Sequence, residues 1–258
     1  MKKYPFMVCP NALPVADYPQ FLEAVSKTPL KNIGTRPTWI PFDGIEKTDL
    51  RISEIGVCGN FAKKDDQNNL LNIMEFAAER KIPVINTATD PHLSTADQRS
   101  TADFYRDAAA CAKEKGLRFT LETYGALSRT AEECLRFLEK VDHESFEICY
   151  DTANVWRFAP ELKTGEDLTN DFRKLKGHVG YMHLKDFDPE TKEIMVLGKG
   201  KVDFPTIFNL LEEWSFDGFV GLDLETTRAC TLNTLAAHEE ELHRSLEYLE
   251  SLDVIKQD

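Results

Sequence analysis

The sequence predicts an α/β fold, a closed (β/α)8 barrel of the TIM-barrel architecture, with residues 1–258 forming a single domain. Three observations carry that expectation. Eight short β-rich runs alternate with helical patterns at intervals of roughly thirty residues, and strands separated by such helices pair in parallel through right-handed crossovers. A chain of 258 residues is the usual size of one such barrel, and no linker, low-complexity tract or charge block divides it. No glycine fingerprint follows the first strand, which argues against an open dinucleotide-binding sheet.

Taken in order, the expected strands are Tyr4–Cys9, Asn32–Thr35, Ile52–Cys58, Pro83–Thr87, Arg118–Glu122, Phe146–Asp151, Gly180–Lys185 and Phe219–Glu225. The second rests mainly on its place in the series. Between them, Asn69 to Arg80 sets Leu70, Leu71, Ile73, Met74 and Phe76 at helical spacing. Ala102 to Lys115 puts Phe104, Ala108, Cys111 and Ala112 on one face, and Gly116 supplies a C-terminal stop. Thr130-Ala131-Glu132-Glu133 has the form of a capping box, opening a helix with Leu135, Phe137 and Leu138 turned inward. Residues 205–214 and 233–252 supply the last two helices.

Composition narrows the function. Apolar residues make up 42% of the chain, enough for a large core, and no run approaches the ~20 apolar residues of a membrane helix. The opening residues, Met1 to Phe6, lack the apolar stretch of a signal peptide. The six cysteines form no C-x-x-C pair, and several sit in apolar segments. A cytoplasmic protein with reduced, buried thiols is therefore expected. A net charge of −13 argues against nucleic acid as a partner. It leaves room for an anionic small molecule, because a cationic pocket can coexist with an acidic surface.

In barrels of this kind the functional groups come from the carboxyl ends of the strands. The four later strands end in polar residues: Glu122 on the fifth, Asp151 on the sixth, His183 with Lys185 on the seventh, and Asp223 with Glu225 on the eighth. The separations are 151 − 122 = 29, 183 − 151 = 32 and 223 − 183 = 40, each close to one strand–helix unit. Singly, each has an ordinary explanation: Glu122 or Asp151 as a helix cap, His183 as a hydrogen-bonded core histidine. Together they bring several carboxylates and one imidazole to one rim. Crowded carboxylates repel one another unless a cation neutralises them. An oxygen-rich set with a single imidazole suits one divalent Mn, Mg, Co or Zn ion. Asp223 and Glu225 lie two apart, so as strand residues both point to the same side, and either can be the eighth-strand ligand.

Leu121-Glu122, Asp151-Thr152-Ala153-Asn154, Met182-His183-Leu184-Lys185-Asp186, Gly198 to Phe204 and Phe216 to Val220 together resemble the xylose-isomerase-like TIM-barrel superfamily. Within it they look most like the sugar phosphate isomerase/epimerase group, which includes ketose 3-epimerases, inosose-processing enzymes and hydroxypyruvate isomerases. The resemblance is good over residues 65–228 and weak over the first sixty. It implies a metal held by Glu122, Asp151, His183 and one eighth-strand acid, Asp223 by alignment with Glu225 retained. It also implies proton transfer next to a substrate carbonyl by Glu122 paired with Asp223 or Glu225, through an enediolate. Lys185, two residues after His183, points to the same side and either neutralises an enediolate or a substrate carboxylate or is a lysine salt-bridged to Asp186 or Glu122. Two positions depart from the ketose epimerases of the group: Asn154 stands where they tend to carry histidine, and Pro189 where they tend to carry arginine. A free-ketose 3-epimerase is therefore disfavoured.

Asn154, Trp156 and His92 follow the strands as expected substrate contacts, and Trp39 and Asp90 occupy comparable places. Lys199, within Gly198-Lys199-Gly200, lies where backbone N–H groups can approach an anion. The expected activity is that of a metal-dependent isomerase or epimerase of a small sugar or polyhydroxy ketone. The alternative is a metal-dependent dehydratase of an inosose or dehydroshikimate-type substrate. A homo-oligomer is expected by analogy alone.

Overall fold

Most of the β-rich runs lack a strict polar–apolar alternation, as parallel strands do when side chains fill one face and helices cover the other. In the computed structural model, which describes residues 2–225 and 233–256, they pair accordingly. The barrel strands are β1 (Phe6–Val8), β2 (Asn32–Thr35), β3 (Arg51–Gly59), β4 (Val84–Thr89), β5 (Arg118–Glu122), β6 (Phe146–Asp151) and β7 (Val179–Leu184). A two-stranded hairpin, β8 (Asp186–Asp188) and β9 (Glu193–Met195), then precedes the last barrel strand, β10 (Val220–Leu222). Every barrel pair is parallel, and the sheet closes where β1 meets β10, Phe6 opposite Val220. The strands follow the expected order, and the eighth is shorter than predicted because the chain leaves the sheet after Leu222.

Local chemistry explains the helix ends. Helix α1 (Tyr18–Ser26) opens on Asp17, whose carboxylate accepts from the Gln20 N–H at 2.9 Å while the Gln20 side chain takes the Asp17 N–H at 3.0 Å. Helix α2 (Lys64–Arg80) starts before the apolar periodicity does, because Asp65 and Asp66 favour the positive N-terminal end of the helix. Helix α3 (Thr95–Lys115) likewise starts early, capped by Ser94 and stopped by Gly116 at φ 67°. Ahead of α4 (Ala131–Val141), Thr130 accepts from the Glu133 N–H at 3.3 Å, but the Glu133 carboxylate turns to Arg129. The predicted box is therefore half made, since a guanidinium outcompetes a neutral N–H for a carboxylate.

Two short helices, α5 (Asn154–Phe158) and α6 (Gly165–Arg173), join β6 to β7, and α7 (Phe204–Glu213) and α8 (Leu235–Ser251) complete the outer layer. Between β2 and β3 the described chain makes only two 3-10 turns, Pro37–Trp39 and Ile45–Lys47. Proline and glycine are frequent in that segment, which disfavours a full helix. Trp39 takes over part of the covering role, packing on Tyr18 and Phe21 with ring centroids 5.0 and 5.1 Å away.

The main core lies between strands and helices, and a smaller cluster of Met7, Cys9, Val84, Cys149 and Tyr181 fills the barrel interior. The five described cysteines are free; Cys9, Cys134 and Cys149 are buried and Cys58 is exposed, while Cys230 lies outside the described residues. No helix among the described residues is long and apolar enough to cross a membrane.

One buried carboxylate organises the rim between β7 and α7. Asp186 accepts four backbone N–H groups, from Phe187 (2.9 Å), Gly198 (2.8 Å), Gly200 (2.8 Å) and Val202 (3.1 Å). The carboxylate lies so close to Gly200 that a Cβ there would overlap it. Replacing it by the isosteric amide puts a donor against donors. Asp186→Asn is expected to cost about 2–4 kcal/mol and to lower Tm by about 5–15 °C, followed by circular dichroism on heating. A Tm within about 2 °C of wild type would show that something else holds the 198–202 loop.

Candidate metal centre

The strand register brings the expected residues together. Asp151 pairs with His183 across β6 and β7, Gly221 on β10 pairs with His183 from the other side, and Glu122 closes β5 opposite Cys149. Glu122, Asp151, His183 and Asp223 each offer one ligand atom, and all four atoms lie within 4.8 Å of one another. From His183 Nδ1 the distances are 3.5 Å to Glu122 Oε2, 3.8 Å to Asp151 Oδ2 and 3.6 Å to Asp223 Oδ2. Donors about 2.1 Å from a tetrahedral ion stand about 3.4 Å apart. The spacing is therefore that of a coordination shell rather than of direct hydrogen bonds.

Unmet hydrogen-bonding capacity points the same way. Both His183 ring nitrogens are buried without a hydrogen bond among the described residues, while Asp151 Oδ2 is met by the Lys185 ammonium alone. A native interior leaves few such groups without a reason. Three carboxylate oxygens and one imidazole suit a divalent cation, so these residues fit the group the fold implies.

The other oxygens of these ligands are already held. Asp151 Oδ1 accepts from the N–H groups of Ala153 (2.9 Å) and Asn154 (2.8 Å). Glu122 Oε1 accepts from Asn154 Nδ2 at 2.7 Å, and Oε2 lies 3.4 Å from Asn86 Nδ2. Asn86 is oriented in turn by Thr120 Oγ1, which donates to its Oδ1 at 2.8 Å. These outer contacts set the direction of each ligand.

Lys185 supplies positive charge from within. Its Nζ lies 2.9 Å from Asp151 Oδ2, 2.7 Å from Asp223 Oδ2 and 2.7 Å from Glu225 Oε1. Thr152 Oγ1 clamps its backbone, accepting from the Lys185 N–H at 3.0 Å and donating to its carbonyl at 2.5 Å. Burial pushes the Asp151 carboxyl up to about 6, with Lys185 pulling the other way. Asp223 is buried as deeply, yet Lys185 and then His183 hold it below the usual carboxylate range.

Several expected residues stand elsewhere. Glu225 is outside the four-atom cluster: its φ of 55° takes it out of strand alternation, and its carboxylate binds Lys185 and, at 3.0 Å, Arg157. Asn154 is at the site, holding Glu122. Trp156 is buried but faces a separate cavity with Phe187 and Pro189, because α5 turns it away from the barrel axis. His92 is exposed, its N–H tied back to Asp90 at 2.9 Å. Lys199 lies in a groove against α8, and the Gly198 and Gly200 N–H groups are consumed by Asp186.

The ligands open onto a cavity of about 200 Å³ whose far wall includes Asn11, Arg36, Glu54 and Asn86. Reasoning from strand ends on the later half of the chain misses this wall. Asn86 and Glu54 are visible as polar residues inside apolar strand runs, and Arg36 directly follows β2. Arg157 sits on a helix of five residues, too short for periodicity to reveal.

A sequence model of the xylose isomerase-like TIM barrel family matches residues 44–256, and the chain belongs to that family. An inosose dehydratase of Clostridium perfringens is 23% identical over 151 residues, which cover 52% of this chain and 49% of that enzyme. The chain thus spans about half the length of the curated relatives it matches. Among solved structures, a D-psicose 3-epimerase from Clostridium cellulolyticum H10 superposes with a TM-score of 0.75 at 16% identity, over 97% of this chain and 99% of that one. An IolI protein with a bound zinc atom gives 0.73 at 13% identity, over 96% of both chains. At such identities the superpositions establish the fold.

Glu54 offers a measurement independent of any ligand. It is 3% exposed, and burial pushes it up to about 8 from an ordinary value of 4.5, with His183 opposing and Asp223 and Glu122 adding to the rise. Between those two values the folded chain holds a proton that the unfolded chain lacks, so stability falls as pH rises and levels off above about 8. Glu54→Gln, free of this titration, is expected to gain on metal-free wild type as pH rises from about 5 to about 8.5. The advantage should reach a few kcal/mol, growing by at most about 1.4 kcal/mol for each pH unit crossed. A Tm difference constant across that range would refute the assignment.

Proposed function

We propose that the chain is a divalent-metal-dependent isomerase or epimerase of a small polyhydroxy ketone. The observation that carries this reading is the convergence of Glu122, Asp151, His183 and Asp223 at a barrel mouth, with neither nitrogen of a buried imidazole making a hydrogen bond among the described residues. Those four residues would hold an ion of the Mn, Mg, Co or Zn type, which when bound supplies Lewis-acid polarisation of a carbonyl.

The remaining chemistry belongs to side chains. Glu122 is the base: its carboxylate borders the cavity, and Asn154 holds Oε1. It takes the proton from the carbon next to the carbonyl, and Lys185 places positive charge beside the enediolate oxygens that form. Return of the proton to the neighbouring carbon or to the opposite face completes isomerisation or epimerisation.

A dehydratase is the second reading, favoured by the curated relatives named inosose dehydratase. It shares the first proton removal and differs in expelling a β-hydroxyl as water. Product mass separates the two, because isomerisation conserves it and dehydration lowers it by one water.

Protein purified without added metal and titrated with Mn is expected to bind one ion per chain, and His183→Ala to abolish stoichiometric binding. Glu122→Gln should reduce turnover by about 10²–10⁴-fold on whichever ketone, inosose or hydroxypyruvate proves active, while ligand affinity stays measurable. Absence of stoichiometric binding for both Mn and Zn would end the metal reading. Full activity in Glu122→Gln would remove the base from that residue.

A further inference from the structure

Three cationic side chains stand at the barrel mouth among the described residues, and two are committed. Lys185 is surrounded by Asp151, Asp223 and Glu225. Arg157 pairs with Glu225 at 3.0 Å and touches Asn154 Oδ1 at 3.5 Å. Arg36 differs. It follows directly after β2, is half-buried, and lies with its guanidinium carbon 4.5 Å from the centre of the Trp39 ring. Its Nε and Nη2 are buried with no hydrogen-bond partner, and no described carboxylate lies within ion-pair distance. Yet it lines the same cavity as Glu122, His183 and Asp223.

A guanidinium withdrawn from water without a counter-ion is costly, and such groups are normally paired. Nothing in the fold requires this one for packing alone, because Trp39 is already anchored by Tyr18 and Phe21. We infer that Arg36 binds an anionic group of the substrate, and that this group is a carboxylate, so that the ligand is a small hydroxy-keto acid rather than a neutral ketose. This deepens the proposed function and rests on it for the position of the reacting ketone.

The charges of the mouth agree. Lys185 and Arg157 are already matched by Asp151, Asp223 and Glu225, so among the described residues Arg36 is the cation of the mouth left for an incoming anion. One guanidinium matches one carboxylate charge for charge, whereas a phosphate dianion would be left half neutralised. Geometry agrees as well. Nε–H and Nη2–H share one edge of the guanidinium, the planar fork that matches two carboxylate oxygens. Both nitrogens are shielded from solvent here, so contact with a ligand would require the guanidinium to turn toward the cavity it lines. The part of the mouth that Arg36 lines is about 200 Å³, and it adjoins a part of about 570 Å³ that shares Asn11, Glu122 and Asp223 with it.

The test compares hydroxypyruvate with dihydroxyacetone, two hydroxyketones that differ by a carboxylate in place of a hydroxymethyl group, and with dihydroxyacetone phosphate. Binding to the full chain is measured by calorimetry, with and without Mn, for wild type, Arg36→Gln and Arg36→Lys. Wild type is expected to prefer hydroxypyruvate over dihydroxyacetone by about tenfold or more. Arg36→Gln should lose that preference while keeping Mn stoichiometry, Tm and dihydroxyacetone affinity, and Arg36→Lys should restore part of it. Three results would overturn the inference: equal or undetectable binding of both hydroxyketones, a preference that survives in Arg36→Gln, or an Arg36-dependent preference for the phosphate ester. Mn binding with no Arg36-dependent preference would sink this inference alone. An Arg36-dependent preference without stoichiometric Mn binding would sink the metal-centre reading alone.

Discussion

The barrel mouth is organised around the repulsion between buried carboxylates. Glu122, Asp151 and Asp223 reach into a region from which water is largely excluded, and their ligand oxygens lie within a few ångströms of one another. Such a set can stay ionised only if positive charge is placed among it. Lys185 does part of this from within the fold, touching Asp151 and Asp223 and sharing Glu225 with Arg157. Although burial lowers it, Cys149, Tyr181 and Glu122 push the His183 imidazole well above its ordinary value, and neither ring nitrogen makes a hydrogen bond among the described residues.

The Asp151-Thr152-Ala153-Asn154 turn is the point through which this arrangement is wired. Asp151 turns one oxygen to its own backbone two and three residues on and leaves the other facing the centre. Thr152 clamps the backbone of Lys185, and Asn154 holds Glu122 from the next strand. One four-residue segment therefore positions Asp151, Lys185 and Glu122 together. Asn154 does this through its side chain, whose Nδ2 donates to Glu122 Oε1 at 2.7 Å. Its amide N–H₂ orients a carboxylate, a task an imidazole would perform with different geometry and charge.

The two halves of the mouth divide the work. Strands β5, β6 and β7 and the end of β10 carry the Glu122, Asp151, His183 and Asp223 cluster with Lys185 beside it. Strands β2, β3 and β4 contribute Arg36, Glu54 and Asn86, which line the same cavity, with Asn86 standing 3.4 Å from Glu122 Oε2. The family model begins at residue 44 and so leaves β1, β2 and Arg36 outside its match.

Much of this is legible in the sequence. The eight strands follow from apolar runs at a regular interval, and Glu122, Asp151, His183 and Asp223 from polar residues at the ends of four of them, because strand–helix periodicity and strand termini are local properties. Helices α2 and α3 begin earlier than apolar spacing predicts, since their first turns are set by capping and charge. Proximity to strand ends in the chain puts Trp156, His92 and Lys199 near the site, but the direction of a loop side chain depends on the tertiary packing of short segments such as α5 and the Asp186-bound loop. The choice of Asp223 over Glu225 for the cluster, the withdrawal of Gly198 and Gly200 into hydrogen bonds with Asp186, and the facing of Arg36 toward the centre are likewise decided only in three dimensions. Periodicity determines which element a residue joins and which end it occupies. Which charges then meet is settled by long-range contacts between strands far apart in the chain, whose side chains are neutralised or left open by one another.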